Sequence, residues 1–429
     1  MSNKYINPGY ISPIILKTSS GQKIDISSLV KEINVYESLF SHMLTADITL
    51  VDIPENRLIQ KGVIGAKDRI SFEFAGKTKD MGVENSIKID LFVYKIGNSG
   101  SVGQLQSCVL NLGPAQFFAN NTKEISRHFE GKVSDIVKKL AKELDISDLE
   151  VEQTEGIYNF LATYKSPFEL IHFLSNKAIS TRNKNDYNYV FYQDVEKKYH
   201  FVSVGSLMKK QSKFGTNSRT GFVHMMPLAG TEGNLKNMVL GYESSELSPI
   251  KNAIGGMYTS QIMTYDITNK SYNMRTFSLD NIYSSQTHLS DKKITDGNDK
   301  EFKKTLDNSY VTRYAQKTEY CYDCEKNKGF QDKIGGHDDI TLPRLCTMEQ
   351  LNQLSLLIKI NGNSIIRAGD IFYFGRPIQQ GLSDKPDIVY NGKYLATEIC
   401  HTIQLNVLGQ TQSEYKTKVR AIKDSIGDE

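Results

Sequence analysis

A five-residue pattern that occurs twice constrains this chain most. Ile64-Gly65-Ala66-Lys67-Asp68 and Ile366-Arg367-Ala368-Gly369-Asp370 share I-x-A-x-D, and each leads into an apolar strand, residues 70–74 in one copy and 371–374 in the other. In the earlier copy Phe72 and Phe74 alternate with polar residues, the period-two mark of a half-buried strand. The copies lie 302 residues apart, too far for a solenoid period, so the pattern implies one β-module used twice with other material between. A lone aspartate at 370 reads first as a catalytic acid. Its echo at Asp68 reads instead as a turn acid that sets the start of a strand.

The flanking signals correspond. Residues 11–17, 23–26 and 44–50 carry strand signals, 87–94 alternate with period two, and 103–112 offer a further strand after Gly97-Asn98-Ser99-Gly100. On the later side a strand runs over 394–403 after Asn391-Gly392. Another covers 413–422, with Tyr415, Thr417, Val419 and Ala421 on one face and Lys416, Lys418 and Arg420 on the other. Five or more strands without a long helix make residues 1–112 a β-barrel or sandwich module. The second module is split, at 209–279 and 344–424, by a polar insertion over 280–343 with little periodicity and a short helix expected near 300–306; residues 425–429 form a tail.

Between the modules the period changes. Val133, Ile136, Val137, Leu140, Ala141 and Leu144 form one helical stripe opposite Lys138, Lys139, Lys142 and Glu143. A second helix begins at Ser166-Pro167-Phe168-Glu169, where Ser caps, Pro suits the first turn and Glu reaches back to the cap. A hairpin follows over 187–192 and 199–204, so residues 113–208 form a small α+β domain. The fold class expected is α+β, predominantly β.

Composition narrows the function classes. The chain has 429 residues, long enough for several domains, and its net charge of +3 gives no whole-chain signal for a nucleic-acid or membrane-surface binder. No run of eighteen apolar residues occurs, and MSNKYINPGYIS lacks the apolar core of a signal peptide, so synthesis and retention in a cytoplasm are expected. Five scattered cysteines do not form a secreted disulfide framework.

Candidate chemistry is sparse. Cys321 and Cys324 form a C-x-x-C, followed by His337 and Cys346, which could close a tetrahedral zinc site, but the second tight pair is missing and free thiols are the weightier reading. Asp296, Asp299, Glu301, Asp338 and Asp339 concentrate oxygen ligands without the spacing of a calcium loop and read as solvated acids. H-E-x-x-H, G-x-S-x-G, the P-loop and G-x-G-x-x-G are all absent. His172 reads as a packed or surface residue. His401 and Cys400 are strand neighbours and should point to opposite faces. Lys416, Lys418 and Arg420 form either a solvated face or a strip facing an anionic partner. Acids of the middle domain leave a glycosidase open, since paired carboxylates need no local motif. No catalytic, cofactor-binding or metal residue is assigned.

Residues 36–52 with the turn and strand at 64–74, the helix opened by Ser166-Pro167-Phe168-Glu169, and Gly369-Asp370, Gly392-Lys393-Tyr394 and His401-Thr402-Ile403 resemble the baseplate hub proteins of contractile-tailed bacteriophages. The resemblance implies two similar tube-like β-barrel domains per subunit and a homotrimer whose six modules make a pseudo-sixfold ring. That ring would join a hexameric tail tube to a trimeric central spike. It further implies other baseplate proteins as partners, DNA only in passage through the channel, no cofactor, and a place in the virion tail after assembly in the host cytoplasm. Two alternatives stand beside it: a tail-associated cell-wall hydrolase, and the hub of a related secretion or contractile injection particle.

Overall fold

Alternation of apolar and polar residues builds the largest element of the molecule. The computed structural model describes residues 8–52, 64–77, 83–102, 105–183, 186–217, 220–224, 237–245, 248–266, 270–294, 311–316, 336–376, 389–405 and 413–426. The N-terminal part gives β1 (Pro8–Ile11), β2 (Ile15–Lys17), β3 (Lys23–Asp25), β4 (Val30–Ser38), β5 (Thr45–Asp52), β6 (Arg69–Lys77), β7 (Val83–Val102) and β8 (Leu105–Gly113). The middle gives α1 (Ala115–Asn121), β9 (His128–Gly131), α2 (Val133–Glu143), β10 (Leu149–Val151), β11 (Tyr158–Leu161), α3 (Pro167–Ser175), β12 (Tyr189–Gln193), β13 (Tyr199–Ser203) and α4 (Val204–Met208). Next come β14 (Ser212–Phe214), β15 (Phe222–Val223), β16 (Val239–Ser244), α5 (Pro249–Gly255), β17 (Thr259–Asp266), β18 (Ser271–Ser278), α6 (Leu279–Tyr283), β19 (Lys292–Lys293) and β20 (Val311–Gln316). The chain continues through α7 (Gly336–Leu351), β21 (Leu354–Asn361), β22 (Ile371–Gly375), β23 (Gly392–Gln404), β24 (Ser413–Lys423) and β25 (Ser425–Ile426). The protein is predominantly β.

The main sheet runs β14-β22-β23-β4-β5-β8-β7-β6-β1-β24-β21-β16, and β23 also pairs with β24. The pairings from β23 through β4, β5, β8, β7, β6, β1 and β24 therefore return to β23, all antiparallel. A first core fills the N-terminal part, with Ile33, Val35, Ile48, Phe72, Phe74 and Leu110. A second gathers Leu356, Ile358, Phe372, Phe374, Tyr394 and Val419. Strand β23 serves both. Before a bulge at Thr397 it pairs with β22, and beyond it with β4. Ile403 and Tyr415, at the far ends of β23 and β24, lie in the first core, whereas Ile399 and Val419 lie in the second.

The duplication read from the two I-x-A-x-D copies extends to individual hydrogen bonds. The order β4-β5-β8-β7-β6 recurs as β16-β21-β24-β23-β22, antiparallel throughout. The register shift between Val30 and Glu32 recurs between Val239 and Gly241, and that between Val93 and Lys95 recurs between Ala396 and Glu398. In the turns, the Gly65 N–H donates to the Asp68 carboxylate at 2.7 Å, and the Arg367 N–H to Asp370 at 2.9 Å. The Lys67 N–H donates to the Val93 carbonyl and the Gly369 N–H to Ala396; the return bonds run from the Val93 N–H to Asp68 and from the Ala396 N–H to Asp370. Both aspartates are turn acids. Even the left-handed residue recurs, Lys67 at φ 80° and Gly369 at φ 84°.

The middle part follows its sequence signals. Helix α2 buries Val133, Ile136, Val137, Leu140 and Ala141, and α3 carries the capping box between Ser166 and Glu169. Hairpin β12–β13 turns at Lys197, and Tyr189, Phe191, Tyr199 and Phe201 join those helices in a third core. The stretch read as aperiodic over 280–343 differs in part: α6 opens it and α7 begins at residue 336. Helix α7 packs against β17, β18, α5 and α6 and has no exposed residue from 340 onward, so no solvent face sets off an apolar stripe. The helix expected near 300–306 lies outside the described residues.

Equivalent turn positions predict substitutions of opposite sign. Gly369→Ala places a Cβ in a left-handed position, 3.0 Å from the Tyr192 hydroxyl and 3.2 Å from Leu207, and is expected to lower stability by ~1–2 kcal/mol. Lys67→Gly removes the same backbone penalty and is expected to raise stability by a few tenths, up to ~1 kcal/mol. Chemical denaturation of the two variants beside the parent checks both.

Candidate functional site

The second I-x-A-x-D turn is a joint as well as the start of a strand. Alternation along β4 puts Ile33, Val35 and Glu37 in the inward phase, so a carboxylate points where an apolar side chain is the rule. Glu37 is 1% exposed, and one of its oxygens accepts the Ala368 N–H at 2.7 Å. Burial pushes its pKa up to about 8, against the lowering pull of Arg367 and the Ala368 N–H. Arg367 is held by the Ser364 and Ile366 carbonyls at 2.7 and 3.1 Å and reaches Glu196, on the β12–β13 turn, at 3.3 Å. Asp370 also accepts from Lys213 Nζ at 2.9 Å, and the Gln193 side chain accepts the Leu44 N–H at 3.1 Å. The N-terminal strands, the middle hairpin and the second repeat thus meet around residues 366–370. Such an arrangement fixes orientation. The sequence signal for Glu37 was present, a glutamate in phase with Ile33 and Val35.

The residues singled out by sequence separate widely. Cys321, Cys324, Asp296, Asp299 and Glu301 lie outside the described residues, as do the side chains of His337, Asp338 and Asp339, although these three sit on α7. Cys346 is a buried thiol that donates to the Gly256 carbonyl at 3.1 Å. Among the described residues no group of three or more His, Cys, Asp or Glu could hold a metal ion. His401 and Cys400 do face opposite ways. His401 is fully buried, hydrogen-bonded to the Tyr415 hydroxyl at 2.8 Å, and burial pushes its pKa down to about 3. Cys400 lies beside Thr402 and Asn34 on the outer face. His172 is exposed on α3, edge-on to His42 at 5.8 Å.

The buried acids of the middle part are engaged internally. Glu152 accepts from Ser180 Oγ at 2.6 Å, Ser203 Oγ at 3.1 Å and the Ser203 N–H at 2.9 Å. Asp186, pushed up to about 6 by burial, accepts the Gly205 N–H at 2.9 Å. Both tie the loop before β12 to the end of β13. The outer face of β24 carries exposed Lys416, Lys418 and Arg420, with Lys359 opposite Lys418 on β21. Three of these cations pair with carboxylates: Lys359 with Glu243 at 3.0 Å, Lys416 with Glu414 at 2.7 Å and Arg420 with Glu398 at 3.3 Å. The strip is a mixed-charge face.

No protein-family model and no curated protein matches the sequence. Solved structures do match. A tail protein from Neisseria meningitidis is 7% identical, with 96% of each chain covered and a TM-score of 0.50. The 43 kDa tail protein of prophage MuSo2 from Shewanella oneidensis is 9% identical, with 96% of this chain and 98% of that chain covered and a TM-score of 0.52. The chain shares the fold of these tail proteins. The similarity spans nearly the whole length of both partners, so it takes in the two sheet repeats and the part between them. Among the described residues no helix is long and apolar enough to cross a membrane.

The Glu37 joint predicts a pH dependence. A carboxyl raised from 4.5 to about 8 contributes stability that is complete below 4.5 and lost as pH rises to about 8. His401 acts oppositely, contributing above 6.5 and losing as pH falls towards 3. His288, which burial lowers but Asp424 raises on balance, also loses stability above 6.5, so Glu37 is read from the difference between the parent and a Glu37 variant. The parent is expected to lose stability between pH 6.5 and about 8, and Glu37→Gln, which keeps an acceptor for Ala368, to lose distinctly less over that range in denaturant melts, the remainder belonging to His288.

Proposed function

We propose that the chain is a structural virion protein, a baseplate hub subunit whose homotrimer forms a pseudo-sixfold ring between a hexameric tail tube and a trimeric central spike. One observation carries this reading. A single chain holds two sheet units with the same strand order, two bulges at corresponding positions and the same turn, and three such chains offer six near-equivalent modules around a threefold axis. A duplicated subunit is the economical way to present six similar surfaces on one side and three on the other. The fold likeness to two tail proteins supports a place in the virion tail.

In this reading the modules are tube-like barrels at 1–112 and at 209–279 with 344–424. The far ends of β23 and β24 help to close the first, and the α+β domain at 113–208 is held on the joint around Arg367. Tail-tube, spike and other baseplate proteins are the partners, and assembly proceeds in the host cytoplasm. DNA meets the ring only in passage. A face whose cations are mostly paired with carboxylates attracts a polyanion weakly, which suits transit without retention or sequence readout. The internal engagement of Glu152 and Asp186 supports a structural role over a hydrolytic one.

Solution mass and electron micrographs test the proposal. The expected result is a trimer, or a ring once tube and spike partners are added; a monomer under both conditions would sink it. A turnover assay on purified cell wall is expected to show no hydrolysis. Activity abolished by Glu152→Gln or Asp186→Asn in a chain that still melts cooperatively would replace the structural role with an enzymatic one.

A further inference from the structure

The chain joins its two repeats directly by the β4–β23 ladder, with β1 bridging β6 to β24 beside it, and holds the two halves of a second such ladder. Within the chain, the outer edge of β4 pairs antiparallel with β23 beyond its bulge, from Glu398 opposite Ser38 to Gln404 opposite Glu32. Strand for strand, β16 is the counterpart of β4, and residues 95–97 of β7, followed beyond a further bulge by 100–102, are the counterpart of that part of β23. Among the described residues β16 is the last strand of the main sheet on this path, with a single parallel bridge from Val223 to Met238 just before its start. On β7, β6 pairs with residues 83–92 and stops, so among the described residues 95–102 are paired only on their β8 side. Both edges offer backbone N–H and C=O groups for a further strand.

A side chain marks the missing neighbour. Ile96 stands opposite Leu110, and its counterpart Ile399 stands opposite Val419; Leu110 and Val419 are both core residues, so both isoleucines face inward. Ile399 is 1% exposed, with Glu37 of β4 paired beside it, whereas Ile96 is 39% exposed. The turn below repeats the contrast: Ala368 is covered by Glu37, and Ala66 is exposed. The sequence continues the parallel, since Glu246 follows Ser244 by two positions as Glu37 follows Val35.

We infer that the outer edge of β16 in one copy of this chain pairs antiparallel with residues 95–102 of β7 in the next copy, repeating between chains the β4–β23 junction found within each. The inference rests on the proposed ring and names the surface that closes it. The two edges differ, so copies add head to tail, and a closed trimer then has six junctions, three within chains and three between them. Carrying the β4–β23 register across sets Gly97 of one copy opposite Ser245 of the next, because Cys400 stands opposite Tyr36, and Val35 corresponds to Ser244.

Directly opposed residues of antiparallel strands have Cα atoms about 4.5–5.5 Å apart, within the span of a disulfide. A chain carrying Gly97→Cys and Ser245→Cys, with Cys321, Cys324 and Cys400 changed to Ser, is therefore expected to run after mild oxidation as covalent dimer and trimer on a denaturing gel. Neither single variant should do so. Ile96→Lys, which puts a charge on the exposed inward position, is expected to abolish assembly while leaving the melting temperature of the chain unchanged. Trimers by mass without a cross-link at this pair or one residue either side, or trimers that survive Ile96→Lys, would overturn the edge pairing and leave the ring standing. A cross-linked ladder running past the trimer would support the pairing and overturn the ring. A monomer without cross-links, with tube and spike partners present, would overturn both.

Discussion

The structure depends on two strands that divide their backbone hydrogen bonds between two sheet units. Strands β23 and β24 pair with each other along most of their length, and their outer edges change partner part-way, β23 from β22 to β4 and β24 from β1 to β21. The change on β23 falls at Thr397, whose carbonyl accepts the Leu39 N–H at the end of β4. An extra residue at a bulge turns the strand and restarts its alternation. Ile399 and Ile403 both lie beyond it on one face, and the advance of the strand carries the first into one core and the second into the other while the ladder to β24 runs on.

Much of this was legible in the sequence. Period-two alternation gave β5, β6 and β24 their faces, down to the exposed Lys416, Lys418 and Arg420, and the capping box at Ser166 placed the start of α3. The repeat was visible because a turn that needs an aspartate to accept its own backbone N–H leaves a fixed spacing in the chain. The partner of a strand leaves no such trace. Nothing local to residues 398–404 says that they pair with residues 32–38, so the passage of β23 from one unit to the other emerged only in three dimensions. Helix α7 escaped for a related reason, because surfaces on several sides of a helix erase the stripe that marks an amphipathic one.

Equivalence between the repeats is close in the backbone and loose in the side chains. The left-handed turn position holds Lys67 in one copy and Gly369 in the other, and the difference follows from the neighbours: a Cβ on Gly369 would crowd Tyr192 and Leu207, whereas Lys67 is exposed. The middle part packs on the second turn, and that added contact restricts residue choice at a position the backbone already strains. Charge diverges likewise. Lys416, Lys418 and Arg420 of β24 correspond to Ser107, Val109 and Asn111 of β8, so two faces with one scaffold present different electrostatics.

The bulge at Thr397 also has a mechanical meaning. Because β23 runs unbroken from one unit into the other, a force that draws the units apart travels along a covalent backbone before it reaches any hydrogen bond. The ladders that resist it, β23 with β4 and β23 with β24, lie along the pull and are loaded in shear, every bond sharing the strain, where a sheet parted from its edge would yield one bond at a time. Units joined by a flexible linker would swing under such a load, and these two must move as one piece.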